Sequence, residues 1–188
     1  IQYPIAKVQS QYTIPDSVTS IEKNAFYQCT NLSDMTIGNN VTSIGDYAFF
    51  GCTNLTDVTI GNGVTSLGDS VFRACISLTS VIFSLDSNLT TLGNHTFNGC
   101  KNLTYVTIPN KVKTLGNYVF SMCQLLTTVT IPNSVTTIGD YVFSECIALT
   151  GVTIPESVTI IGSQAFAGCT SLTSVYIQNF ETMVQADS

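Results

Sequence analysis

The sequence predicts a β-rich solenoid of about seven stacked 23-residue units, and three observations carry that prediction. Seven cysteines recur at Cys29, Cys52, Cys75, Cys100, Cys123, Cys146 and Cys169, with spacings of 23, 23, 25, 23, 23 and 23 residues. A Phe stands three residues before each one (Phe26, Phe49, Phe72, Phe97, Phe120, Phe143, Phe166) and a Leu three residues after each one (Leu32, Leu55, Leu78, Leu103, Leu126, Leu149, Leu172). Self-similarity at a fixed period of this length marks a repeat architecture. The third observation is compositional: 44% of the 188 residues are hydrophobic, only 10% are charged, and 27 are threonine. Disorder requires the opposite balance.

Within each unit the frame F-x-x-C-x-x-L leads into an alternating run. Leu126 to Ile131 alternates apolar residues with Thr and is rich in β-branched side chains, which predicts a short strand burying Val129 and Ile131 and turning Thr128 and Thr130 outward. Pro15, Pro109, Pro132 and Pro155, or Gly-Asn in two other units, end the strand. A second run such as Val135 to Ile138 is too short for a helix and reads as a short second strand. Gly follows it in six of seven units, Glu22 being the exception. Capping-type residues come next (Asp46, Asp69, Asn94, Asn117, Asp140, Ser163), so the segment carrying Phe and Cys is expected to be one helical or 3₁₀ turn. No segment offers the uninterrupted 10 to 12 residues that a helical array needs.

A single unit cannot bury its own apolar positions, whereas stacked units line up Phe, Leu, Val and Ile into internal columns. With strands about 4.8 Å apart the stack would be roughly 30 to 35 Å long. The one irregular spacing has a local cause: Ser84, Leu85, Asp86, Ser87 and Asn88 separate Phe83 from Leu89, where other units have three residues. Residues 1–188 read as one solenoid domain, with 23–177 regular, 1–22 a degenerate first copy (Tyr3, Ala6, Tyr12 and Ile14 in the Phe, Cys, Val and Ile positions) and 178–188 a degenerate or truncated last one containing Val184.

Composition also narrows function. A net charge of −6 repels phosphate backbones, so nucleic acid is not an expected partner. No apolar run approaches membrane-spanning length, and Ile1 to Tyr12 do not read as an export signal, so no direct membrane insertion is expected of this segment. One His and few charges leave little material for acid–base catalysis, and no nucleophile-elbow, zinc-protease or phosphate-loop signature occurs. The cysteines lack the clustered spacing of a zinc site, and a parallel ladder with an odd count argues against pairing, so they read as buried free thiols. No cofactor or metal is expected. His95 falls in a column with Asn24, Tyr47, Ser70, Tyr118, Tyr141 and Gln164 and is expected to be exposed. Lys101, Lys111 and Lys113 read as a solvated cluster, and six N-x-S/T triplets, beginning at Asn31, Asn40, Asn54, Asn88, Asn94 and Asn102, read mostly as turn chemistry.

The run L-T-x-V-T-I-P-x-x-V-T-x-I-G-x-x-x-F-x-x-C, seen from Leu126 to Cys146, resembles the Treponema pallidum-type leucine-rich repeats of the BspA-like surface proteins. The resemblance spans essentially the whole chain. It implies a curved leucine-rich-repeat solenoid with parallel strands on the concave side, and a secreted or cell-surface binder or adhesin that engages protein or extracellular-matrix ligands. It implies no catalytic residue and no fixed contact motif.

The candidate ligand face is therefore the outward side of the long strands, where the second position of each unit is nearly always Thr and the first varies. Tyr105, Tyr176 and Ile82 are the expected anchors, Asp34 and Asp57 an acidic end, and Thr128 and Thr130 part of the same face. Two other readings stay open: a structural spacer with no ligand of its own, and a carbohydrate-binding module using the Thr- and Tyr-bearing face. Oligomeric state is not legible.

Overall fold

Period-two alternation and a turn residue at each end make every unit contribute one long and one short strand. In the computed structural model, which describes residues 10–178, these are β1 (Gln11–Thr13), β2 (Ser20–Ile21), β3 (Asp34–Ile37), β4 (Ser43–Ile44) and β5 (Asp57–Ile60). Then follow β6 (Ser66–Leu67), β7 (Ser80–Phe83), β8 (Thr91–Leu92), β9 (Tyr105–Thr107) and β10 (Thr114–Leu115). The last are β11 (Thr128–Thr130), β12 (Thr137–Ile138), β13 (Gly151–Ile154), β14 (Ile160–Ile161) and β15 (Ser174–Ile177). All pairs are parallel and in register with the repeat: β3 sets Asp34, Met35, Thr36 and Ile37 against Asp57, Val58, Thr59 and Ile60 of β5. Tyr12 sits opposite Met35 and Ile14 is buried, as the degenerate first copy requires. Tyr3, Ala6 and Val184 lie outside the described residues.

The expected columns run the length of the molecule. Phe49, Phe72, Phe97, Phe120 and Phe143 are fully buried and stack face to face, with neighbouring ring centroids 5.2 to 5.6 Å apart and planes within 3 to 9° of parallel. The Leu, Val, Ile and Cys columns fill the space between them and the strands. Burial of each large side chain contributes about 1.5 to 3 kcal/mol, which is what holds together a chain so poor in charge.

The third wall departs from expectation. Among the described residues there is no helix, and the Phe–Cys segment is a string of β-turns. Ala25 N–H donates to Glu22 O, Cys29 to Phe26 O and Leu32 to Cys29 O, so each three-residue step closes a turn and returns a side chain to the inside. That is the physical content of the F-x-x-C-x-x-L frame. The alternate N–H groups go elsewhere: Asn24 donates to Asp46 O, Phe26 to Ala48 O and Gln28 to Phe50 O, all on the next rung. A helix would have spent those donors on itself. Two left-handed residues four apart in each unit, such as Asn24 and Gln28 or His95 and Gly99, make the alternation possible.

The supposed caps belong to this rung-to-rung network too. Asp46 Oδ1 accepts the N–H of Asp69, Asp69 that of Asn94, Asn94 that of Asn117, Asn117 that of Asp140 and Asp140 that of Ser163, at 2.7 to 2.9 Å. Each residue thus caps the unit after its own. The Gly preceding them is needed for close approach: a Cβ on Gly139 would lie 2.8 Å from the Gly116 carbonyl carbon, and one on Gly162 2.4 Å from that of Gly139. Threonine forms ladders as well, with Thr65 Oγ1 donating to Thr42 O and Thr79 Oγ1 to Thr56 O, both at 3.1 Å.

One place breaks the repeat. The long strands form two sheets, β1-β3-β5-β7 and β9-β11-β13-β15, and the short strands form two more, β2-β4-β6 and β8-β10-β12-β14. Both walls therefore part at the unit holding the two extra residues: β7 pairs only with the rung before it and β8 only with the rung after it. The Thr ladders stop there as well; among the described residues no bond joins Thr104 to Thr79 or Thr90 to Thr65. The inserted loop closes its turn at Ser87 N–H to Ser84 O, two residues before buried Leu89, which leaves Leu85 and Asp86 at an exposed tip. The turn wall runs through without interruption, with Ser70, Phe72 and Ala74 donating to Asn94, Thr96 and Asn98, and Phe72 stacked on Phe97.

Candidate interaction face

The outward positions of the long strands stand in rows because the strands are in register. Asp34 lies opposite Asp57, and Asp57 opposite Ser80. Thr59 lies opposite Ile82, Tyr105 opposite Thr128, and Thr153 opposite Tyr176. Asp57, Ile82, Tyr105, Thr128, Thr130 and Tyr176 are exposed, and Asp34 is half-buried with its carboxylate accepting the Ser33 hydroxyl. All seven residues singled out from the sequence thus lie on one strand-built face. They do not lie on one sheet: Asp34, Asp57 and Ile82 belong to the first block, and Tyr105, Thr128, Thr130 and Tyr176 to the second.

The split puts Ile82 and Tyr105, 54% and 53% exposed, on opposite banks of the seam. Between them is a groove of about 230 Å³ whose walls include Ile82, Phe83, Leu85, Tyr105 and Pro109. Leu85 is wholly exposed. Sequence reasoning missed it, although five residues in place of three were the signal. A second, larger groove of about 580 Å³ runs past Thr130, Pro132, Asn133 and Thr153, with a more polar lining.

Other sequence candidates resolve into structural roles. Every described thiol is free, and each of Cys52, Cys75, Cys100, Cys123, Cys146 and Cys169 donates its S–H to the Phe carbonyl of the preceding unit at 3.0 to 3.3 Å. Burial pushes the Cys29 thiol up to about 11, and raises those of Cys100, Cys123, Cys146 and Cys169 as well. Such thiols are neutral and poor nucleophiles. His95 is not exposed as expected: it is half-buried and stacked 4.8 Å from Tyr118, which stacks in turn on Tyr141. Burial, with Arg73 nearby, lowers its pKa against the opposing pull of Asp69. Lys101, Lys111 and Lys113 are exposed, and Lys111 Nζ donates to Asn88 Oδ1 at 2.7 Å. The side chains of Asn40, Asn88 and Asn94 bridge adjacent units, which explains those three sequons structurally.

A family profile described as "BspA type Leucine rich repeat region" matches in six copies over residues 7–124 and 83–187. The chain is similar to a leucine-rich-repeat protein of Treponema pallidum, at 29% identity over 87% of this chain and 78% of that one, with a TM-score of 0.82. It is similar to a leucine-rich cell surface protein of Faecalibacterium prausnitzii, at 33% identity over 92% of this chain and 48% of the other, TM-score 0.79. A leucine-rich-repeat protein of Eubacterium ventriosum shares 34% identity over 95% of this chain and 46% of its own, TM-score 0.83. The chain thus spans about half the length of the last two. No functionally curated protein matched it.

Proposed function

The chain belongs to the BspA-type leucine-rich-repeat family, and from that premise we propose that it is a non-enzymatic binding module, secreted or at the cell surface, that engages a protein or extracellular-matrix ligand through its long-strand face. The observation that carries the reading is the pair Ile82 and Tyr105, more than half exposed on either side of the seam, on a face whose other outward positions, Tyr176 near its far end apart, are mostly Thr, Ser and Asp. Large apolar and aromatic side chains held by a rigid scaffold are the usual anchors of protein interfaces. Surface location is supported by the name of the Faecalibacterium relative, a leucine-rich cell surface protein. The non-catalytic reading is supported by how polar groups are used, since carboxylates, hydroxyls and thiols serve rung-to-rung bonds.

The test is attachment of the wild-type protein and an Ile82→Ala/Tyr105→Ala double variant to a panel of immobilised matrix proteins. The double variant should bind about tenfold or more weakly, with an unchanged circular dichroism spectrum and urea midpoint. Equal attachment by a correctly folded variant would leave the spacer reading in its place.

A further inference from the structure

We propose that the seam between β7 and β9 is the docking point on this face, and that its occupant is an extended, basic segment of a protein partner carrying one large apolar side chain. The proposal rests on the strand-face reading and adds the place and the chemistry of the partner.

Three observations converge. The first is the groove itself. It lies between β7 and β9, which are not hydrogen-bonded to each other, and Ile82, Leu85 and Tyr105 line it from β7, the inserted loop and β9 respectively. A cluster of exposed apolar groups lining a concavity gains by taking up an apolar side chain. The second is charge. The outward positions of the long strands hold Asp34 and Asp57 and no Lys, Arg or His. Register sets the two carboxylates side by side, and among the described residues neither has an ion-pair partner. Asp86 adds a third acidic group at the loop tip, with Lys111, bonded to Asn88 of the same loop, opposing it. A cationic partner is attracted to this bank and an anionic one repelled.

The third is spacing. Asp57 stands one rung and two residues from Ile82, since Asp57 pairs with Ser80 and Thr59 with Ile82. One strand spacing combined with two residues of rise gives a separation of roughly 8 Å. In an extended chain, side chains on one face recur every 6.6 Å or so, at alternate residues. A Lys or Arg two positions from a Phe, Leu or Ile therefore reaches Asp57 with its long side chain while the apolar group enters the groove. A helix would offer a different spacing, at three or four residues.

The probe is a capped pentapeptide with alternating lysine, threonine, phenylalanine, threonine and lysine, titrated into the ¹⁵N-labelled chain and followed by backbone amide shifts. Saturable shifts are expected at Asp57, Ile82, Tyr105 and Thr107. Affinity should fall about tenfold when alanine replaces the phenylalanine, and binding should vanish when glutamates replace the lysines. Leu85→Ser should weaken it. Deleting Asp86 and Ser87, which restores three residues between Phe83 and Leu89, should abolish it while the spectrum stays that of a folded protein. Shifts spread evenly along β11 and β13, equal binding of the glutamate peptide, or no shifts at all would overturn the seam proposal without touching the strand-face reading, which the attachment assay judges separately. Self-association of the chain that masks Ile82 and Tyr105 would overturn it in favour of a second copy as occupant.

Discussion

The turn wall and the strand walls answer the same two-residue insertion differently. Both strand walls part at the insertion, and both Thr ladders part with them, while the turn wall passes through unbroken. The difference follows position: the two extra residues enter directly between β7 and β8, whereas the turn wall begins beyond β8. At the junction of Asp69–Cys75 with Asn94–Cys100 the turn wall has three backbone hydrogen bonds, the Asp69 bridge to Asn94 N–H, the Cys100 thiol on Phe72 O and the Phe72–Phe97 stack. An intact short-strand junction has several as well, Thr65 N–H to Thr42 O and Gly68 N–H to Ile44 O beside the β4–β6 pairing and the Thr65 hydroxyl bridge. Strands that flank the insertion lose register with one neighbouring rung, and the turns farther along the chain recover theirs.

Three perturbations sharpen the contrast. Alkali should have the largest effect, because it acts at once on the thiols of Cys29, Cys100, Cys123, Cys146 and Cys169 in the turn wall. An unfolded thiol ionises near 9.0, whereas the folded Cys29 holds its proton to about 11. The folded state therefore binds more protons across that window, so the thiols' contribution is complete below pH 9.0 and is lost as pH rises towards 11. The slope is roughly 1.4 kcal/mol per pH unit for each thiol so held. Urea midpoints taken from neutral to alkaline pH should stay level and then drop, with alkylation of the thiols following the drop; a flat profile above pH 9.0 would mean that the column is solvated.

Phe97→Ala should come next, at about 3 to 5 kcal/mol. It removes the ring that links Phe72 to Phe120 in the one wall crossing the seam. Phe143→Ala removes an equally buried ring where the strands also pair. Denaturation of the first variant should split into two transitions, one per block, while the second remains a single transition.

The smallest effect concerns single hydroxyls. Thr65→Val should cost about 0.5 to 1.5 kcal/mol by losing the bond to Thr42 O, and Thr90→Val, at the seam, close to nothing. Hydrogen exchange provides the matching readout, with the amides of Thr90 and Thr104 exchanging ahead of those of Lys113 and Thr127, which are bonded to the preceding rung.

Much of this architecture was legible from the sequence because a stacked array makes each residue's principal neighbour its own counterpart one period away. Val58 meets Met35 and Val81, and Phe97 meets Phe72 and Phe120, so the spacing of like residues already names the contacts. The outward row of Asp34, Asp57, Ile82, Tyr105, Thr128, Thr130 and Tyr176 followed from the same rule. The turn wall is not legible as such, because Asp46 or Asn94 ahead of a short apolar segment serves a helix cap and a bridge to the next rung equally well. The choice depends on an acceptor 22 or more residues away. The burial of His95 is hidden for a related reason: its column varies in residue type, which suggests exposure, yet the ring is half-buried against Tyr118 one period on.

The sequence by itself determined the period, the columns and the face on which each side chain stands, since these follow from one local pattern repeated in register. Only the tertiary structure decided that the two extra residues after Phe83 would divide both strand walls and open a groove between Ile82 and Tyr105. An insertion states how much chain is added at one point, whereas where register is lost and regained depends on contacts between residues a full period apart.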